Sequence, residues 1–297
     1  MWNKSRITAG FMRLLPTLLK ATACSVLVAC GAKSTSLPDN TLTVSIVPQK
    51  VLLQHILGDS SRYTINCLFE DSGNPETFDP SVSDLKAVAT SRAYFAVGTL
   101  PFEDAIVKRL EDSGSNISVT NTSKGIELLY GTHGAGEPDP HVWMTPGNAK
   151  TMARNMTAAL TEIDPGEAHR YQQNLQVLEH KLDSLDALIR QEVAKAPGQP
   201  FMVLHPAVSY PAQEYGMMQI PLATVEGKEA SAAEVRRRMD TAQRSGASVI
   251  AIENEGDRQK ANVLIKGNPK QIKVVVCNPM SKDWLQQFTR LAKTLCN

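Results

Sequence analysis

The 297-residue chain lacks an excess of charge of either sign. Its 31 lysines and arginines nearly cancel 30 aspartates and glutamates, and no basic cluster is interleaved with aromatics. A protein held to phosphate backbones needs such a cluster, so nucleic acid is excluded as a partner. The chain also has no Gly-x-Ser-x-Gly, no His-Glu-x-x-His and no P-loop. With those motifs missing, nothing in the sequence argues for an enzyme. Cysteines are few. Beyond the N-terminal segment only Cys67, Cys277 and Cys296 remain, an odd number that cannot all pair. Cys277 ends an expected strand and Cys296 ends the expected helix after it. Those two positions lie on the order of 20 Å apart along the helix axis, against a limit of ~7 Å between disulfide-linked Cα atoms. No bond between them is expected, and isolated cysteines are usually small core residues.

What is present begins at the N-terminus. Residues 1–20 carry Lys4, Arg6, Arg13 and Lys20 without an acid, and a short apolar run of small residues follows to Cys30 and Gly31. This order describes an export signal, too short to span a bilayer as a mature helix. Leu27-Val28-Ala29-Cys30 resembles the bacterial lipobox, in which the cysteine is lipidated and becomes the new N-terminus. The expectation is a signal peptide over 1–29 and a lipidated flexible tether over 30–40. The other readings are a plain cleavable signal and a chance apolar run.

From Thr41 onward, strand-like and helix-like segments alternate. Strands are expected at 41–47, 63–69, 92–97 and 117–120, and helices at 50–57, 81–90 (Ser81 as N-cap) and 102–112. Thr145-Pro146 opens a helix to about Ile163, and Asp164-Pro165 restarts one that meets no breaker before Pro197-Gly198. Some thirty helical residues span about 45 Å, with Leu175, Leu178, Leu182, Leu185 and Ile189 as an apolar stripe. The alternation then resumes, with strands at 201–204, 218–224, 247–252 and 272–277. The expected fold is therefore α/β: two βα lobes with parallel sheets, at 41–163 and 198–297, braced by a long helix at 164–197.

In open α/β sheets ligands bind beyond the carboxyl ends of the strands. Four segments fall there or in neighbouring loops: Asn74-Pro75-Glu76, Asp139-Pro140-His141, His205-Pro206 and Asn278-Pro279. Each sets a metal-capable side chain beside a proline, which stiffens the backbone before an ion arrives. A Glu oxygen, two imidazoles and an Asn carbonyl suit zinc, and less exclusively manganese or iron. The same residues have ordinary readings: His205 as a core histidine, Asn278 as a turn residue, Glu76 as a solvated carboxylate. Glu253, at the end of another strand, is a further candidate as alternative ligand or as a group that orients a histidine. His133 reads as solvent-exposed, and Trp143 and Trp284 as core.

At these residues the chain resembles a family. The segments "VSIVPQKVLLQHILGD", "AYFAVGTLPFE", "DPHVWMTPGNAKTMARNM", "HPAVSYPAQEYGM" and "NPMSKDW" are similar, in wording and order, to the metal-binding lipoproteins of bacterial ABC importers. These form the zinc/manganese cluster of periplasmic solute-binding proteins. The resemblance implies two lobes joined by one long helix, with the metal in the cleft between them. It implies ligands at Glu76, His141, His205 and Asn278, but with two departures. The first position is usually a histidine in Pro-His-x-Tyr-x-Pro, and here it is Glu76. The fourth is usually an aspartate, and here it is Asn278. The departures leave the formal ligand charge unchanged, at one carboxylate. The resemblance further implies an exported monomer anchored through Cys30, which captures Zn(2+), or less readily Mn(2+), and hands it to an ABC permease and its ATPase. The alternative is a metal-free or altered-ligand paralogue acting as adhesin or sensor.

Overall fold

The computed structural model describes residues 40–296, apart from 60, 71–72, 133–135, 226–227 and 267–270. The expected signal peptide, the tether, Cys30 and His133 lie outside the described residues.

The first lobe starts with β1 (Thr41–Ile46), whose six residues are all buried, as a central strand of a parallel sheet requires. There follow α1 (Val47–Leu57), β2 (Thr64–Phe69), α2 (Val82–Ala89), β3 (Ala93–Ala96), α3 (Pro101–Asp112) and β4 (Ser118–Asn121). Ser81 caps α2: its Oγ accepts the Asp84 N–H, while the Asp84 carboxylate takes the Ser81 N–H at 2.8 Å. Two helices come next, α4 (Pro146–Ile163), capped by Thr145, and α5 (Ala168–Val193). The second lobe contains β5 (Pro200–Val203), α6 (Ser209–Glu214), β6 (Met218–Pro221), β7 (Thr224–Val225), β8 (Lys228–Glu229), α7 (Ala232–Ser245), β9 (Val249–Ile252), α8 (Arg258–Ile265), β10 (Lys273–Val276) and α9 (Trp284–Leu295).

The two four-stranded sheets are parallel throughout, in the orders β2-β1-β3-β4 and β10-β9-β5-β6. Counted from its own first strand, each sheet has the order 2-1-3-4. Each therefore has a switch point, between β1 and β3 and between β5 and β9, where connections leave to opposite sides and a crevice opens. The first crevice is closed by protein. Glu103, buried at the start of α3, accepts the N–H groups of Val97 and Gly98 at 2.6 Å and a hydrogen bond from Ser45 Oγ. Gly98 sits at φ +92°, and a Cβ there would meet the Asn121 side chain at 2.2 Å, so both backbone and space require glycine. The chemistry described below lies where the loops after β2 and β4 meet the loop after β5.

Helix α5 has 26 residues, about 39 Å. It is shorter than the sequence suggests because 165–167 winds as a 3₁₀ turn and the α-helix ends at Val193. Tyr171, Leu175, Leu178, Leu182 and Ile189 are buried on its inner face. It packs on α1 and α4 of the first lobe and on α9 of the second. Each fully buried leucine contributes about 1.5–3 kcal/mol, so the stripe fixes the brace to both sides. One large core runs through the first lobe, α4, α5 and α9, and a smaller one lies on the other face of the second sheet, around Met202, Leu204, Ile250 and Ile252. The β7–β8 ribbon, two residues per strand, is too short to register as alternation. Cys67, Cys277 and Cys296 are free thiols, with Cys277 buried. His55 is exposed on α1. Among the described residues no helix is long and apolar enough to cross a membrane.

Candidate metal centre

Glu76 lies in a single 3₁₀ turn, Pro75–Thr77, whose start is set by Asn74: its Oδ1 accepts the Glu76 N–H at 2.8 Å. Two residues on, Phe78 wedges edge-on between Phe69 and Phe102, with ring centroids 5.3 and 5.0 Å away. The loop is thus pinned to β2 and α3 by aromatic packing, and Glu76 projects from a braced support.

His141 is buried, one step after Asp139 and Pro140. Asp139, itself fully buried, accepts the His141 N–H at 2.9 Å and faces His141 Nδ1 at 3.0 Å. Its other oxygen accepts the Thr132 hydroxyl at 2.9 Å, and its carbonyl accepts the Tyr210 hydroxyl at 3.0 Å. A carboxylate at Nδ1 holds the proton on that side and leaves the Nε2 lone pair for a cation. The Pro140 carbonyl is held by the Thr99 hydroxyl at 2.8 Å. Past His141 the chain turns through Trp143, whose Nε1–H donates to the Pro279 carbonyl at 2.8 Å, while Trp284 Nε1–H donates to the Trp143 carbonyl at 3.0 Å. Both tryptophans are core residues, and they tie the His141 turn to the loop after β10.

His205 follows β5 by two residues. Its Nε2 is 2.9 Å from Glu76 Oε1, and His141 Nε2 is 3.6 Å from the same oxygen. Glu76, His141 and His205 form the one group of this kind among the described residues, with ligand atoms all within 4.8 Å of one another. In a tetrahedral zinc shell with bonds of about 2.0–2.1 Å, neighbouring donor atoms stand about 3.3 Å apart. The observed 2.9 and 3.6 Å bracket that value, so an ion could be seated with small side-chain adjustments. A pocket of about 360 Å³ reaches Glu76 from outside, with Thr99, Asp104, Glu137 and Pro140 in its walls. Larger pockets beside α1 and between α2 and α3 gather no such donor group.

The other two candidates differ. Asn278 sits two residues past β10, where its Oδ1 accepts the Met280 N–H at 2.7 Å and its own N–H is held by Gln287 Oε1 at 2.8 Å. Its amide is thus tied into its own turn. Glu253 directly follows β9 and stands outside the three-donor group. Its Oε1 is fully buried with no hydrogen-bond partner. Burial pushes its carboxyl up, against the pull of the His205 and His141 imidazoles. In the sequence Asp139 is visible only as part of the Asp139-Pro140-His141 segment. Its place two residues before His141, next to a proline, was the available signal for its orienting role. His133 lies outside the described residues.

Two parallel sheets wound alike, braced by one long helix, with donors from both lobes meeting between them, define a two-lobed solute-binding protein. The chain belongs to the family described as "Zinc-uptake complex component A periplasmic", whose model matches residues 42–297. It is similar to the high-affinity zinc uptake system protein ZnuA of Bacillus subtilis, 28% identical over 263 residues, 82% of each chain. It is also similar to a putative metal-binding protein of Chlamydia trachomatis serovar D, 26% identical over 291 residues, 96% of this chain and 100% of that one. Among solved structures, a crystal structure of ZnuA is 27% identical with a TM-score of 0.76, covering 88% of this chain and 99% of that one. The chain is accordingly a solute-binding component of an uptake system and not an enzyme.

Proposed function

We infer that this protein captures a divalent transition metal outside the cytoplasmic membrane, zinc first and manganese second, and delivers it to an ABC permease driven by its ATPase. One observation carries the reading: a carboxylate and two imidazoles from three separate loops converge within 4.8 Å. Two histidines and a carboxylate are a well-attested zinc set. The relatives named for zinc uptake support the choice of ion. Glu76, His141 and His205 are the proposed ligands, with a fourth position to be filled from the second lobe. No bond of the cargo is made or broken. Affinity comes from coordination, and release requires the permease to disturb the donors. The lobe boundaries at 41–163 and 198–297, the lipid anchor at Cys30 and a monomeric state complete the proposal. A metal-free adhesin would have no use for an imidazole oriented by a buried aspartate.

The test is a competition titration with zinc and manganese on mature protein purified without an affinity tag, for wild type, Glu76→Ala and His141→Ala. Wild type should bind zinc well below micromolar, and each substitution should weaken it at least about tenfold. Silence of both substitutions would defeat the reading.

A further inference from the structure

The three-donor group leaves the fourth position of a tetrahedral shell to be assigned, and the sheet topology discriminates between its candidates. In the second sheet β5 and β9 flank the switch point. Their register pairs Met202 with Ile250 and Val203 with Ala251. His205 and Glu253 each stand two residues beyond the last of these pairs, where both chains bend away from the strand. Side chains alternate between the faces of a strand. Met202, Leu204, Ile250 and Ile252 pack in the smaller core, while Val203, Val249 and Ala251 pack in the large one. His205 and Glu253 thus leave neighbouring strands at the same end of the sheet, and the His205 and His141 imidazoles act on the Glu253 carboxyl. Asn278 follows β10, which pairs with β9 and lies one strand further from β5.

Two further observations agree. Asn278 Oδ1 already accepts the Met280 N–H at 2.7 Å. Glu253 Oε1, by contrast, is fully buried with no hydrogen-bond partner. A buried carboxylate oxygen without a partner is costly and calls for an explanation. A cation seated among His205, His141 and Glu76 would supply one. Charge points the same way. One carboxylate and two neutral imidazoles leave a divalent ion with an uncompensated positive charge in a largely buried site, which a second carboxylate cancels.

The geometry points to Glu253, and not Asn278, as the residue that completes the metal shell, swinging from its buried position to give two carboxylates and two imidazoles. This rests on the capture function above and deepens it, because the shell now sets ion preference. Carboxylate oxygen suits manganese, and imidazole suits zinc. A two-carboxylate shell accepts manganese as a second cargo, where one carboxylate and an amide would favour zinc alone. Glu253 lies outside the 4.8 Å group, so ligation requires a change of its side-chain rotamer.

The test compares wild type, Glu253→Gln, Glu253→Asp and Asn278→Ala as mature protein, by zinc and manganese competition titration and by the visible spectrum of the cobalt(II)-loaded form. Glu253→Gln should weaken zinc about 10–100-fold and manganese more, and should change the cobalt bands. Glu253→Asp keeps the charge but not the reach, and should lose as much as Glu253→Gln. Asn278→Ala should stay within about threefold of wild type. Glu253→Asp with wild-type affinity and spectrum would mean a distant charge only, and would overturn the assignment. So would Asn278→Ala losing as much as Glu253→Gln. Should Glu253→Gln fail to fold, Glu253→Asp and Asn278→Ala still decide. If wild type binds neither zinc nor manganese, the capture function itself fails. If wild type binds and both Glu253 variants match it, only this assignment fails.

Discussion

Replacing Asp139 by asparagine tests how the buried imidazole is aimed. Asp139 takes the His141 N–H at 2.9 Å, faces Nδ1 at 3.0 Å and accepts the Thr132 hydroxyl at 2.9 Å. Asparagine has the same shape. Its oxygen can keep both contacts to His141, and its NH₂ can donate to the Thr132 oxygen. The fold should therefore hold, with a melting temperature close to wild type. What is lost is the negative charge that fixes the proton on Nδ1 and makes Nε2 a stronger donor. Loss of such a partner weakens metal affinity about 10–100-fold, or about 1.4–2.7 kcal/mol. Asp139→Ala goes further and strips one hydrogen bond from each of three donors. At about 1–3 kcal/mol for each buried group, stability should fall by about 3 kcal/mol or more. For a chain of this size that lowers the melting temperature by roughly 6–12 °C. Competition with a chromophoric chelator reads affinity, and calorimetry reads stability. Asp139→Asn binding zinc within about twofold of wild type, with Asp139→Ala binding as tightly, would refute the claim that Asp139 orients His141.

Other consequences follow from single residues. Phe78→Ala removes the wedge between Phe69 and Phe102, and should cost about 2 kcal/mol in denaturant melts while weakening zinc binding through Glu76. Gly98→Ala forces a Cβ to 2.2 Å from Asn121 at positive φ, and should destabilise by about 2 kcal/mol or more in the same assay. Asp283 is held down to about 2 by hydrogen bonds from Ser281, Gln287 and Arg290, which outweigh the burial that would raise it. With its folded value below the ordinary carboxylate range, it stabilises the fold above about pH 4 and loses that contribution as pH falls toward 2. Half-exposure limits the effect to about 1 kcal/mol. Melts of wild type and Asp283→Asn should therefore differ at pH 6 and converge near pH 2. Burial, with Glu253 adding to it, pushes the Cys277 thiol up to about 12. Native protein should leave Cys277 unlabelled by a thiol reagent, while denatured mature chain should show all three thiols without reductant.

Much of this architecture could be read from the chain. Strand–helix alternation gave both parallel sheets, because central strands such as Thr41–Ile46 and helices capped by Ser81 or Thr145 carry strong local signals. The ligand loops announced themselves through prolines beside Glu76, His141 and His205. The two-residue strands β7 and β8 escaped because a pair of residues has no period. The shared 2-1-3-4 winding depends on which distant strands pair, and no local pattern encodes that. The ranking of Glu253 against Asn278 was open in the sequence for the same reason. Both follow strands, and only the pairing of β5 with β9 brings the end of one of those strands beside the end of the strand that His205 follows. The Trp143–Pro279 and Trp284–Trp143 bonds, which link residues more than 130 positions apart, could be read only as "core".

Anomalous diffraction at the zinc edge, on crystals of mature protein grown with one equivalent of zinc, tests the central claim most directly. The account predicts a single strong peak between the lobes, about 2.0–2.2 Å from Glu76 carboxylate oxygen, His141 Nε2 and His205 Nε2. No peak at those three donors, or the strongest peak on surface carboxylates elsewhere, would contradict it.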